Sequence, residues 1–216
     1  MGREFVSLFD QWSEEYDRTV SGHDEQYREV FEHYGDILEA VASRSFGTVV
    51  EFGAGTGNLS EQLLRRGLKV YGVEPSQGMR AQIQKRNLDF VLLDGDFLHF
   101  PPIPEQVNSI VSTYAFHHLT DEEKEQALSI YSTLLGKGGK IVFADIAFRD
   151  EQDREKTEAY IAEKGHFDLL QDLQTEYSTT LDRLKSMFNR HGFSVSFGKL
   201  NRYVWLMEAA KGHTQS

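Results

Sequence analysis

The stretch VVEFGAGTGNLS, residues 49–60, constrains this chain more than any other. An apolar run ends in an acid, glycines follow at 53, 55 and 57, and a polar residue opens an amphipathic segment. Glycine loses more conformational freedom on folding than any other residue, so three in five positions need a reason. They permit a sharp turn from strand to helix and the close approach of a ligand to the main chain. In open α/β sheets, ligands bind beyond the carboxyl ends of the strands, where such a turn lies. The N–H groups that start the following helix can also receive an anionic group. Gly53, Gly55 and Gly57 therefore suit a nucleotide-like ligand laid against the backbone.

The chain around this turn predicts alternating strands and helices. TVVEF (48–52), LKVYGVE (68–74), DFVLLD (89–94), VNSIVST (107–113) and KIVFADI (140–146) read as strands rich in Val, Ile, Leu and Phe. Near-continuous apolar strands alternating with helices imply a doubly wound parallel sheet covered on both faces. NLSEQLLRR reads as a helix stopped by Gly67 at the C′ position. Pro75 and Ser76 open a helix through about Arg86. Thr120 and Glu123 form a capping box for a helix through Leu135. GKGG (136–139) reads as a turn. Before the alternation, Phe5, Leu8, Phe9, Trp12 and Tyr16 predict one helix over 4–20, and a second is expected from Asp24 to Ala42. After it, residues 150–178 read as charged and helical with a break at Gly165, and 180–191 as a helix stopped by Gly192. FSVSFGKL and YVWLMEAA read as an antiparallel hairpin at the sheet edge.

Composition excludes several classes. The 216 residues suit one domain, and 39% hydrophobic content suffices for a core. The formal charge of −11, with no dense basic stripe, argues against nucleic acid as a partner. The chain has no cysteine, so thiol nucleophiles and Cys-based metal sites are out. No apolar stretch approaches the ~18 residues of a membrane span. The N-terminal MGREFVSLFDQW carries acids early and lacks an apolar core, so no secretory leader is expected and a cytoplasmic protein is.

Acids recur at the ends of successive expected strands. Glu51 stands two residues before Gly53, where it favours an ammonium group and repels a pyrophosphate. The spacing G-x-G-x-G also differs from the G-x-G-x-x-G of dinucleotide folds. Both points argue against an NAD-dependent oxidoreductase. Glu74 ends the next strand, 21 residues past Gly53, where an acid can accept ribose hydroxyls. In LLDGDFLHF, Asp94 or Asp96 ends the third strand beside Phe97, so that a carboxylate could accept from an adenine amino group while the ring covers the base.

On these residues the chain resembles the class I S-adenosylmethionine-dependent methyltransferases. EFGAGTG, VYGVEP, GDF, STYAFHHL and LLGKGGKIVFAD are similar to the family's successive segments, over about residues 45–147. The whole chain is also similar to a small bacterial branch of such proteins that begins with an aromatic helix and carries VSTYAFHHLTD. The resemblance implies a Rossmann-like seven-stranded sheet, mostly parallel with the last strand antiparallel, plus N-terminal helices. It implies a single methyltransferase domain: an N-terminal helical cap over 1–44, a cofactor-binding core over 45–147, a helical insertion over 148–178, and a C-terminal helix and β-hairpin over 179–216.

The implied cofactor is S-adenosyl-L-methionine, with Gly53, Gly55 and Gly57 passing under it and Glu51 near its amino end. Glu74 would take the ribose hydroxyls. Asp96 would face the adenine amino group, in preference to Asp94, with Phe97 beside the ring. Ser112, Thr113 and Tyr114 would lie near the methionine portion.

The methyl is already activated, so alignment can dominate catalysis and no obligatory catalytic side chain is expected. Should the acceptor be a hydroxyl, His117 and His118 are candidate bases. Otherwise one packs under the following helix and the other is half exposed. No metal site is expected from the pair, because adjacent residues rarely point at one ion and no clear third ligand is nearby. Tyr16 either approaches the cofactor carboxylate or packs in a core; Trp12 is expected to pack. His166, Phe167 and Tyr177 belong to the segment expected to cover the acceptor. A small-molecule acceptor is the expected partner, and a non-catalytic S-adenosylmethionine-binding sensor is the alternative. Oligomeric state is not read from the sequence.

Overall fold

A computed structural model describes residues 5–212. Its centre is a seven-stranded sheet in the order β3-β2-β1-β4-β5-β7-β6. The strands are β1 (Thr48–Phe52), β2 (Lys69–Val73), β3 (Val91–Leu93), β4 (Val107–Thr113), β5 (Leu135–Ile146), β6 (Phe193–Lys199) and β7 (Val204–Lys211). β1 pairs in parallel with β2 and β4, β2 with β3, and β4 with β5. β7 is antiparallel to both β5 and β6, as the sequence pattern predicts. Successive strands are added on one side of β1 up to β3 and on the other side from β4, so the turn after β1 lies at the switch point where open sheets bind ligands.

Alternate strand residues feed two cores. Val50, Phe52, Ile110, Ile141 and Phe143 join one, with Ala127, Leu128 and Tyr131 of α6 (Asp121–Leu134) and Leu184, Met187 and Phe188 of α9 (Leu181–Arg190). Val49, Val111, Val142 and Ala144 join the other, with α3 (Tyr34–Ala42) and α4 (Asn58–Arg65). Ile161 of α7 (Glu151–Lys164) and Leu169 and Leu173 of α8 (Phe167–Thr175) complete it. Each fully buried side chain of this size contributes about 1.5–3 kcal/mol. Phe52 stacks on Tyr131 at 5.0 Å between ring centroids and on Phe97 at 5.4 Å, which ties β1 to the floor of the site. Among the described residues, no helix is long and apolar enough to cross a membrane.

Three expectations are corrected. The first helix is two: α1 (Val6–Trp12) and α2 (Tyr16–Val20), while Glu4 lies outside the described residues. The break falls between two anchors. Asp10 accepts from the Ser76 hydroxyl at 2.6 Å and the Gly78 N–H at 2.9 Å, and Asp17 accepts from the Thr56 hydroxyl at 2.7 Å. The second helix is confined to α3, because His33 adopts a left-handed backbone (φ 60°) that a right-handed helix cannot pass through. Upstream, the Val30 carbonyl is taken by Asn201 and by the Tyr114 hydroxyl, not by a helical N–H. GKGG is looped out inside β5: Val107 faces Leu135, then Ser109 faces Lys140.

Elsewhere local chemistry holds. The Thr120–Glu123 capping box forms, Ser76 caps α5 (Gln77–Lys85), and Gly67 and Gly165 follow their helices with left-handed φ.

Gly78, inside α5, admits α1. A Cβ there would meet the Ser13 hydroxyl at 2.7 Å and the Asp10 carbonyl at 3.0 Å. Gly78→Val is expected to lift α1 and accelerate limited proteolysis within residues 6–20 several-fold. The denaturant midpoint of the sheet should hardly move, because these helices share little of either core; a parallel fall in both readouts would contradict this.

Candidate active site

The turn after β1 is shaped by steric demand. Gly53, Gly55 and Gly57 have φ of 67°, 56° and 86°, in the region that side chains rarely adopt. A Cβ on Gly53 would also stand 2.6 Å from that of Ala115. Glu74, at the end of β2, fixes the turn. Its carboxylate accepts from the Gly55 N–H and the Ser76 N–H, both at 2.8 Å. Arg86 donates to the Thr56 carbonyl at 2.8 Å and to the Asn58 side chain at 2.7 Å.

After β3, Asp96 is buried and accepts from the N–H groups of Leu98 and His99 at 2.9 and 3.0 Å. Asp94 instead faces solvent in a bidentate pair with Arg80. At the end of β4 the chain turns through Tyr114, a non-glycine residue at φ 53°. Such strain persists where surrounding contacts over-determine it, and it gathers at functional sites. Here the hydroxyl of Tyr114 is held by the Val30 carbonyl and its ring packs on Phe31 at 4.9 Å and Tyr34 at 5.8 Å.

These elements line a crevice of about 660 Å³, its open mouth included. Gly53, Gly55 and Glu74 lie along one side, Asp96, Phe97 and Thr113 along another, and α1 and α2 supply Val6, Phe9 and Tyr16. A second cavity of about 590 Å³ adjoins it. The two share Phe9, Tyr16, Tyr114 and His118. The second is walled by Trp12, Tyr27 and Phe31, with His117, Asp172 and Glu176 as its polar groups.

The structure thus brings Gly53, Gly55, Glu74, Asp96, Phe97, Thr113, Tyr16 and His118 to the crevice. It does not bring Glu51, Gly57 or Ser112. Glu51 is 2% exposed and accepts from the Ser60 hydroxyl at 2.5 Å, and Ser112 is fully buried. Neither histidine is half exposed: His117 and His118 are 5% and 8% accessible. His166 and Phe167 line neither cavity, and Phe167 is 66% exposed. The expectation that no third group stands near the histidine pair is overturned, since Glu176 lies 3.3 Å from His117 and 3.6 Å from His118.

Sequence reading missed Asp10, Asp17, Asp145, Asp172 and Glu176. Asp145 had a signal, an acid inside the apolar strand KIVFADI. It accepts from the backbone N–H of His117 at 3.0 Å and meets Nδ1 of the same residue at 2.5 Å. Glu176 had none; its place depends on α8 folding back over the sheet.

Electrostatics separate the two histidines. Burial alone would lower His117, but the Asp145 and Glu176 carboxylates override it and raise it to about 10. Burial, then the neighbouring His117 charge, takes His118 down to about 3. Burial lifts Glu74 to about 7 against its two N–H donors and Arg80. It lifts Glu51 to about 8, the Ser60 hydrogen bond opposing and the Glu74 charge assisting.

The Glu51 shift has a stability consequence. An unfolded carboxyl titrates near 4.5 and the folded one near 8, so the neutral form is favoured by folding. This contribution is intact below the unfolded value and is lost as pH rises through the folded one. Glu51→Gln is therefore expected to unfold at a higher denaturant midpoint than the parent at about pH 9, with the gap closing towards about pH 5. A gap independent of pH would refute the buried-carboxyl account.

Comparison with known proteins places the geometry. The model of a methyltransferase domain matches residues 49–139, from β1 through the loop inside β5. A Geobacillus kaustophilus protein described as an uncharacterised methyltransferase is 55% identical over 215 residues, covering 99% of this chain and all of the relative. Among solved structures, the complex of DhpI with S-adenosylhomocysteine (SAH) superposes with a TM-score of 0.73 at 17% identity, over 99% of this chain and 98% of that one. Magnesium protoporphyrin IX methyltransferase from Synechocystis, with bound SAH, gives 0.71 at 17% identity, over 97% and 98%. The likeness to these structures is one of fold, and the full-length relative carries the kinship: the chain belongs to the methyltransferase family.

Proposed function

We propose that this chain is an S-adenosylmethionine-dependent methyltransferase that moves a methyl group to a small-molecule acceptor. The observation that carries the reading is the junction of two cavities at Phe9, Tyr16, Tyr114 and His118. One cavity has a glycine turn and two buried carboxylates; the other is aromatic with a polar end. A donor and an acceptor held on either side of that junction would meet across it.

The residues fit the donor. The main chain at Gly53 and Gly55 leaves space that a side chain would fill. Glu74 has acceptor capacity beyond its two N–H donors for ribose hydroxyls. Asp96 is held by backbone donors beside Phe97, whose ring lies against Phe52 on one side, suiting the adenine amino group and ring. Glu51, buried behind the turn, holds Ser60 and so supports the start of α4 beneath the amino end, and Thr113 would sit at the methionine portion. When bound, S-adenosylmethionine supplies an activated methyl group for direct displacement. The chain's own task is then alignment and exclusion of water, worth roughly 7–11 kcal/mol in favourable cases. α1 and α2 exclude water over the crevice, with Tyr16 at the wall between the cavities. His118, kept neutral, can accept a hydrogen bond from an acceptor in the second cavity, while His117 is fixed by Asp145. The helices α7 and α8 cover this acceptor side, contributing Leu169, Asp172 and Leu173.

Calorimetric titration tests the donor assignment. SAH should bind once per chain and NADH should not. Glu74→Ala should weaken SAH by about 5–150-fold, or roughly 1–3 kcal/mol, from loss of a hydrogen-bond acceptor. Binding of NADH alone, or an unchanged Glu74→Ala affinity, would overturn it. Incorporation of labelled methyl into small-molecule pools tests the transfer; its reproducible absence with SAH binding intact would leave a non-catalytic binding module.

A further inference from the structure

We propose that His117, His118 and Glu176 form a site for one divalent transition-metal ion at the polar end of the second cavity. Its remaining coordination positions would face the acceptor. The ion-binding claim stands on the side chains alone; its use in holding an acceptor rests on the function proposed above.

The geometry is that of a nearly assembled site. One ligand atom from each residue lies within 4.8 Å of the other two. Nε2 of His117 is 3.3 Å from Glu176 Oε2, and Nδ1 of His118 is 3.6 Å from Oε1. Ligands held about 2.0–2.2 Å from a tetrahedral ion are about 3.4 Å apart, so small side-chain rotations complete the set. The two histidines come from a 3-10 turn (Phe116–His118) that places their ring centroids 4.0 Å apart. Glu176 is brought to them by a fixed segment. The Tyr177 N–H donates to the His117 carbonyl at 3.0 Å, and Lys124 donates to the Tyr177 carbonyl at 2.7 Å.

A supporting group is also present. Asp145 meets Nδ1 of His117 and takes the backbone N–H of the same residue, while the Ile146 N–H donates to it at 2.7 Å. With the Nδ1 proton directed at Asp145, an arriving ion would displace the Nε2 proton to solvent and take that lone pair, the usual carboxylate–histidine–metal arrangement. The independent sign is His118. It is more than nine-tenths buried, it lines both cavities, and its Nδ1 has no hydrogen-bond partner. A proton on His117 would satisfy Glu176 without an ion, but that nitrogen would stay unpaired at the usual cost of a buried polar atom. An ion engages all three residues at once.

Two imidazoles and one carboxylate suit zinc, iron, cobalt or nickel better than magnesium or calcium, which prefer oxygen donors. Three protein ligands leave at least one position open. It faces a cavity walled by Trp12, Tyr27 and Phe31, so the acceptor it favours has an apolar body and an oxygen or nitrogen donor.

The test uses the full chain, freed of any affinity tag and of metal. Zn²⁺ is titrated by calorimetry, and Co²⁺ by its visible ligand-field absorption. One equivalent is expected, with Co²⁺ bands of low coordination number. His118→Ala and Glu176→Gln should each weaken binding by at least about 100-fold, and Asp145→Asn by about 10–100-fold through loss of orientation. Glu125→Gln, at the separate His191–Glu125 pair, should leave it unchanged. Absence of heat and of Co²⁺ bands with the parent chain would overturn the site, as would binding that survives in His118→Ala. SAH titration of the same samples reports folding and keeps the two proposals apart. Retained SAH binding without Zn²⁺ binding sinks the metal site alone, and the reverse sinks the donor assignment alone.

Discussion

The site depends on one carboxylate. Glu74 ends β2 and takes the N–H groups of Gly55 and Ser76, so it clamps the turn after β1 to the start of α5. Each N–H would otherwise be an unmatched donor at a buried loop, with a desolvation cost of ~1–3 kcal/mol. The clamp accounts for the position of the crevice floor, for the spacing of the glycines, and for the retention of an acid where burial disfavours its charge.

Parallel topology explains why so many acids gather here. β1 to β5 all point one way, and the chain places Glu51, Glu74, Asp96 and Asp145 near their carboxyl ends. All four are buried. Their oxygens are met by different means: a hydroxyl for Glu51, backbone N–H groups for Glu74 and Asp96, and a histidine with N–H groups for Asp145. Burial with unlike partners spreads their proton affinities, with Glu51 raised and Asp145 lowered. Of the four, Glu74 and Asp96 line the crevice, while Glu51 and Asp145 act behind it on Ser60 and His117.

The sheet was legible in the sequence because strands covered on both faces read as apolar runs, and caps at Ser76, Thr120 and Gly165 are local chemistry. GDF, by its likeness to the family pattern, pointed to Asp96 over Asp94, and of the two it is Asp96 that lines the crevice. The N-terminal helices were not. The apolar rhythm of residues 5–16 is real, but tertiary anchors at Asp10 and Asp17 decide where the helix breaks. Nor could the spacing of His117 and His118 reveal Glu176, which is adjacent in space through α8 and distant along the chain. The left-handed Tyr114 had no signal at all, since nothing in TYAF demands a positive φ.

The strap formed by α1 and α2 contributes Val6, Phe9 and Tyr16 to the crevice wall, so whatever occupies the floor is roofed by it. Its fastenings are the polar contacts of Asp10 and Asp17 and the ring contacts of Phe9, Trp12 and Tyr16, and none of these residues belongs to the two sheet cores. Segments of this kind open locally at far lower free energy than a sheet does. An occupant of the floor would therefore be shielded from water by the part of the chain that unfastens most easily.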